Sequence, residues 1–231
     1  MEKKNNLLIL SLAIMSLLIL FTNGCLKTDD NNHSETVTDV DGNVYGTVTI
    51  GSQVWMAGNL KTTRYRDGTA IPNVTDGTLW YNLLTGAYCD YAYDPNISAT
   101  YGRLYNWYAV NSGMLAPVGW HVPSDAEWAT LETFLGNDNI MGGKIKETGT
   151  AHWQSPNTAA TNETGFTALP AGFRSSTGSY FSLTYNGYWW SSTTGSDISY
   201  GIYRYVDFNV GSIYRNEDSK VDGLSVRCIR D

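Results

Sequence analysis

Histidine and cysteine are scarce here, three of each among 231 residues. His33, His121 and His152 stand in separate segments, and none has a cysteine or carboxylate at ligand spacing, so no zinc-type site is written in the sequence. No nucleophile constellation is present. The glycine pair Gly142-Gly143 is not followed by Lys-Ser or Lys-Thr, which excludes a phosphate loop. No EF-hand-like loop occurs. Positive charge is short as well: 15 basic against 22 acidic side chains leave a net charge of −7. Nucleic-acid binding needs a basic stripe to neutralise phosphates, so that class is excluded. Long apolar runs are confined to the N-terminus, and there is no internal repeat. Helix signals are nearly absent too.

The exception is residues 119–136, GWHVPSDAEWATLETFLG. Ser124 is an N-cap and Glu127 sits three residues on, which completes a capping box. Asp125 and Glu127 put negative charge in the first turn, where the helix dipole favours it. Trp128, Leu131, Phe134 and Leu135 fall at helical spacing and form one apolar stripe. Gly136 supplies a left-handed stop. One amphipathic helix in a strand-rich chain must lay its stripe on a sheet, so the class expected is α+β, with the main helix at about 124–135.

The N-terminus reads as a targeting segment. Lys3 and Lys4 precede an apolar run over residues 7–21, too short for a comfortable membrane span. Thr22-Asn23-Gly24-Cys25 follows and resembles a bacterial lipobox, although Leu is usual where Thr22 stands. The resemblance implies a signal peptide over 1–24 and acylation of Cys25, so that a lipid holds the chain to a membrane. The alternative is a plain secretory signal with a stray cysteine. Residues 25–36 read as a polar tether. Its acidic start resembles a surface-export signal, against the plainer reading of an acidic linker. Exported chains permit disulfides, and after Cys25 the only possible pairing is Cys89 with Cys228. The other reading is two separately buried thiols.

Past the tether the chain is strands and turns. Residues 37–54 alternate around Asp41-Gly42, a hairpin signal, with Val44, Val48, Ile50 and Val54 facing the core. Residues 61–76 read as an edge strand and a loop, and 77–93 as an irregular aromatic segment. Residues 101–110 give a short helix, and residues 141–153 a turn, a short strand or helical turn, and a loop. From Pro170 an antiparallel meander is expected, with strands at 172–175, 187–193, 200–208 and 223–229. His121, between Trp120 and Pro123, reads as a packed, hydrogen-bonded histidine. Asn162 and Glu163 sit in a long polar loop. They could supply oxygens to calcium, or Asn162 could satisfy its own turn.

Aromatics are the positive clue: 8 Trp, 16 Tyr and 6 Phe. Trp189 and Trp190 are adjacent on an expected strand and point to opposite faces. If one fills the core, the other lies on a surface or in a groove. Exposed Trp and Tyr rings are platforms for the C–H faces of sugars. Tyr188, Trp189, Trp190, Tyr180, Tyr185 and Tyr203 are therefore the candidate ligand-binding residues.

Several stretches together carry a family resemblance: WMAGNLKTTRYRDG, AYCDY, YGRLYNWYAV, LAPVGWHVPSDAEW, GGKIKETGTAHW, ATNETGFTALPAGFR, GYWWSST and GLSVRCIRD. In this order they resemble the Fibrobacter succinogenes major paralogous domain, over residues 37–231. Gly58 stands where that family usually has Glu. The family implies exported lipoproteins with no assigned chemistry. A more distant likeness, of VPSDAEW and GLSVRC to formylglycine-generating-enzyme-like domains, implies a C-type-lectin-like fold. That is a twisted antiparallel sheet with one main helix, one shorter helix and long irregular loops. The oxidase chemistry of those domains needs a cysteine pair in a cleft, which this chain does not offer. The expected function is therefore non-enzymatic: a lipid-anchored protein of the outer membrane or cell surface, or facing the periplasm, that binds a polysaccharide or surface protein. The alternatives are an accessory subunit of a surface assembly or fimbria and, more remotely, an enzyme on that fold.

Overall fold

The computed structural model describes residues 35–136 and 138–231. The leader, Cys25 and most of the tether lie outside the described residues. The fold opens with β1 (Thr36–Thr38), β2 (Val44–Ile50) and β3 (Gln53–Met56). Short elements follow: α1 (Gly77–Tyr81), β4 (Tyr88–Cys89), α2 (Pro95–Tyr101), β5 (Leu104–Asn106), α3 (Trp107–Asn111) and β6 (Trp120–His121). Next come α4 (Asp125–Leu135) and α5 (Met141–Ile145). The chain closes with β7 (Ala171–Arg174), β8 (Tyr180–Leu183), β9 (Asn186–Thr194), β10 (Tyr200–Asp207), β11 (Ile213–Ser219), β12 (Gly223–Leu224) and β13 (Ile229–Arg230).

The strands build three antiparallel sheets. Their orders are β1-β2-β3-β13-β6, β11-β10-β9 and β4-β5-β12-β7-β8. The class is α+β, as the sequence leads one to expect. Helix α4 is capped as its residues require. The Ser124 hydroxyl accepts from the Glu127 amide, and the Glu127 carboxylate accepts from the Ser124 amide. Gly136 closes the helix with φ +107°. Trp128, Leu131 and Leu135 are buried, but Phe134 is 60% exposed and leaves the stripe. It lies instead over Gly51, in the turn between β2 and β3.

The central strands are covered on both faces, and this decides where the aromatics go. Trp55 enters a cluster with Trp128, Phe166 and Trp189, while its neighbour Met56 enters a second cluster with Tyr105, Trp107 and Trp190. Strand β2 divides in the same way, with Tyr45 in the second cluster and Ile50 in the first. Val44, expected inside, is 64% exposed, because the buried position at that end of β2 is Tyr45.

Other local expectations are corrected too. Residues 61–76 form no strand beyond an isolated bridge between Arg64 and Ala70. Residues 77–93 hold a short helix, started by the Asp76 carboxylate, which accepts from the Leu79 amide. Residues 104–106 are a strand ahead of a helical turn, since Asn106 caps α3 by accepting from Ala109. Strands β8 and β11 were not foreseen. The expected strand at 223–229 breaks into β12 and β13 around buried Arg227.

Cys89 and Cys228 are free, buried thiols, which corrects the expected disulfide. Cys89 packs with Trp80, Ala87 and Leu104, whereas Cys228 belongs to the cluster of Met56 and Trp190. Separate apolar surroundings account for the burial of both thiols without a bond.

Candidate functional site

The sheet β9-β10-β11 is where the clearest aromatic surface forms. Antiparallel register sets Tyr205 opposite Tyr188 on one side and opposite Tyr214 on the other. Cross-strand partners bring their side chains together on one face. The Tyr188–Tyr205 and Tyr205–Tyr214 ring centroids are 5.6 and 4.9 Å apart, with interplanar angles of 29° and 20°. The row continues off the sheet. Tyr188 meets Phe173 on β7 at 5.1 Å, and Phe173 meets Phe181 on β8 at 5.5 Å. Five rings thus line up as Phe181, Phe173, Tyr188, Tyr205 and Tyr214. Both ends are open, Phe181 at 48% and Tyr214 at 38% exposure.

Beside the row lies a small pocket lined by Phe173, Tyr188, Tyr203, Asp218, Asp222 and Leu224. Asp222 is nearly fully buried, and its carboxylate accepts from the Ser176 amide. Burial, reinforced by the charge of neighbouring Asp218, pushes the Asp222 carboxyl up to about 7. It is therefore a neutral hydrogen-bond donor over much of the range in which ordinary carboxylates are ionised. Tyr203 and Tyr188 are both raised, chiefly by burial, and stay as phenols.

The candidate residues separate. Trp189 and Trp190 are both buried, so neither is a platform, and the expectation that one is exposed is corrected. Trp189 lies against Trp128 and Phe166 and donates its indole N–H to Asn59. Trp190 packs on the other face, edge-on to Tyr203, and donates to the Tyr105 carbonyl. Opposite faces of a strand are both interior when the sheet is covered twice. Tyr188, half-buried, and Tyr203, only 7% exposed, line the small pocket, so Tyr203 is no open platform either. Tyr180 belongs to a separate cluster with Tyr91 and Tyr93 around buried Arg174. Tyr185 is exposed and packs edge-on against Phe208 at 5.2 Å.

Asn162 turns inward on its own loop, as the turn reading expects. Its side-chain oxygen accepts from the Thr167 amide at 2.8 Å, and its amide donates to the Thr167 hydroxyl. Glu163 lies 3.9 Å from Lys144. Among the described residues no three His, Cys, Asp or Glu side chains gather as metal ligands. His121 bridges two carboxylates, Glu127 at 2.8 Å and Asp231 at 2.7 Å. Burial disfavours its charge, but the two hydrogen bonds and both negative charges outweigh that and raise its pKa. A Cβ added at Gly58 would meet only the Tyr45 ring, at 3.7 Å, an ordinary contact, so the backbone there does not demand glycine.

Sequence reasoning missed Phe173, Phe181, Tyr205, Tyr214, Asp218 and Asp222. One signal was available: Tyr203 and Tyr205 alternate along β10, so both face the side that carries Tyr188. Residues 48–230 match the family described as the Fibrobacter succinogenes major domain. No curated protein and no solved structure matches the chain.

Proposed function

Because the chain belongs to the Fibrobacter succinogenes major domain family, we propose that it is a non-enzymatic, exported, lipid-anchored protein whose C-type-lectin-like domain binds a glycan. The aromatic row carries this reading. A glycan chain offers one apolar face per ring; Tyr188, Tyr205 and Tyr214 stack on one another, so a sugar would rest on the open ring of Tyr214 and along the edges of the inner rings. The polar groups that would fix orientation are the phenols of Tyr188 and Tyr205 and the Asp218–Asp222 pair. Acylated Cys25 and the tether hold the domain at the outer membrane or cell surface.

The thiols support a non-catalytic role. Burial pushes Cys89 up to about 11 and raises Cys228 as well. Buried thiols of raised pKa are poor nucleophiles. The two also sit in separate clusters, which is unlike a cleft pair.

The test is a pull-down of the protein on insoluble polysaccharides, with Tyr205→Ala and Tyr214→Ala as variants. Each of these two rings should account for about 1 kcal/mol or a little more of affinity. Binding that neither substitution weakens would remove the row from the mechanism.

A second reading is favoured by a different feature. An apolar groove of about 520 Å³ runs between α4 and the β2–β3 turn, lined by Ile50, Ala126, Ala129, Thr133 and Phe134 among others. An accessory subunit of a surface assembly would present such a face to protein. Co-purification of a stoichiometric partner that Phe134→Asp abolishes, with no glycan retained, selects this reading.

A further inference from the structure

The pocket beside the aromatic row is walled mainly by rings and carboxyls. Phe173, Tyr188 and Tyr203 give rings, and Asp218 and Asp222 give carboxyls, with Leu224 completing the lining. Ring faces are negative. Among the described residues no lysine or arginine lines the pocket. Two cations on neighbouring segments are engaged elsewhere. Arg174 on β7 donates to the carbonyls of Gly178, Val74 and Thr75 and stacks over Trp80 at 4.3 Å. Lys220, after β11, reaches the Thr194 hydroxyl and sits 3.9 Å over the Trp107 ring. Asp222 is only 4% exposed, and its carboxyl has a backbone amide and another aspartate as neighbours. A buried carboxyl of this kind lacks a positive partner. The pocket volume is about 70 Å³, a little more than two shares of liquid water at about 30 Å³ each. A group of a few heavy atoms fits.

We propose that this pocket is a cage for a small organic ammonium group, the free amine of an unacetylated amino-sugar unit in a glycan laid along the row. The sugar part rests on the glycan reading above; the cage does not. Three rings and two carboxyls suit an organic cation better than a metal ion, which would take oxygens in place of ring faces. In the empty pocket a proton neutralises Asp222. An entering ammonium takes over that role, and the proton leaves to solvent. Affinity for a permanent cation therefore rises with pH through the neutral range. The groups facing the bound cation are Asp218 from β11, Asp222 before β12, the phenols of Tyr188 and Tyr203, and the ring of Phe173.

The experiment is calorimetric titration of the full-length protein in a polyoxyethylene detergent, which carries no sugar. The probes are methylammonium, glucosamine, N-acetylglucosamine and glucose. Glucosamine should bind about tenfold tighter than either neutral sugar, the scale of a desolvated cation–π contact. Methylammonium, which stays protonated over this range, should saturate the site and bind more tightly at about pH 8 than at about pH 6, because Asp222 ionises between the two. Asp222→Asn should abolish the pH dependence and the preference for glucosamine. Should that variant not fold, Asp218→Asn and the wild-type pH series test the same point. No binding of either cation by a protein that still pulls down on polysaccharide overturns the cage and leaves the row standing. Cation binding by a protein that retains no polysaccharide sustains the cage and overturns the glycan reading. Equal affinity for glucosamine and glucose overturns the cage outright.

Discussion

The Asn59 side-chain oxygen accepts two hydrogen bonds from the Arg227 guanidinium, from Nε at 3.1 Å and from Nη2 at 2.8 Å. Arg227 is fully buried and has no carboxylate partner among the described residues; its other N–H groups reach the carbonyls of Met56 and Phe166. The same Asn59 oxygen accepts from Trp189, and its amide donates to the Tyr101 carbonyl. One side chain thus joins the WMAGNLK, YGRLYNWYAV, GYWW and GLSVRC stretches. Asn59→Ala would leave a buried cation and an indole N–H short of acceptors. The expected loss is about 3–5 kcal/mol, read as a lower midpoint in urea. A loss below about 1 kcal/mol would show that carbonyls alone satisfy Arg227.

Removing rings from the row should reduce binding without harming the fold. Tyr214 is at the exposed end of the row and Tyr205 is half-buried. Tyr214→Ala should lower the thermal midpoint very little, while the Tyr205→Ala and Tyr214→Ala double variant weakens polysaccharide retention by about tenfold or more. Binding isotherms beside thermal melts separate the two effects.

Asp222 should make stability fall as pH rises. Its folded pKa, about 7, lies above the ordinary carboxylate value. The folded state therefore holds a proton that the unfolded chain has lost. That contribution is complete below about pH 4 and is lost as pH rises to about 7. Asp222→Asn keeps an acceptor for the Ser176 amide and cannot ionise. It should flatten the urea-midpoint profile over that window, with a gain above pH 7 on the order of a few kcal/mol. An unchanged slope would mean the carboxyl titrates normally.

His121 acts over a different window. Its pKa is raised in the folded state by Glu127 and Asp231, so its contribution is fully present below the ordinary histidine value and is lost as pH rises through the folded one. His121→Gln should remove a fall in stability that begins above about pH 6.5. Nuclear magnetic resonance titration of the ring would show the raised value directly; an ordinary value would refute it.

Cys89 and Cys228 should resist an aromatic disulfide reagent in the native protein, since both are buried thiols. Without reductant, both should react once the chain is unfolded in guanidinium. Failure of the unfolded, unreduced chain to react would restore the disulfide.

Helix α4 was legible because its signals are local: Ser124, Glu127 and Gly136 act on their own backbone, and Trp128, Leu131 and Leu135 repeat at helical spacing. The turn at Asn162 is legible for the same reason, since its partner is only five residues away. Trp189 and Trp190 were not legible in the same way. Their alternation was read correctly, but which faces are covered depends on α4 and β5, far along the chain. The row needed a register between three strands, one of which, IYRNEDS in β11, has too few apolar residues to stand out. The pocket needed more still, because Asp222 is unusual only through its burial.

The first and last strands of the domain belong to one sheet, and the Arg230 guanidinium on β13 pairs with the Glu35 carboxylate just ahead of β1. The two ends of this fold therefore meet. A short peptide could join residue 231 to residue 35 without crossing the core, and new ends could be cut at the exposed turn over residues 195–199 between β9 and β10. Circular permutation of this kind succeeds at exposed loop tips in folds whose ends are close. The domain can thus be spliced into a loop of another protein as a self-contained insert, with both of its connections leaving from one place.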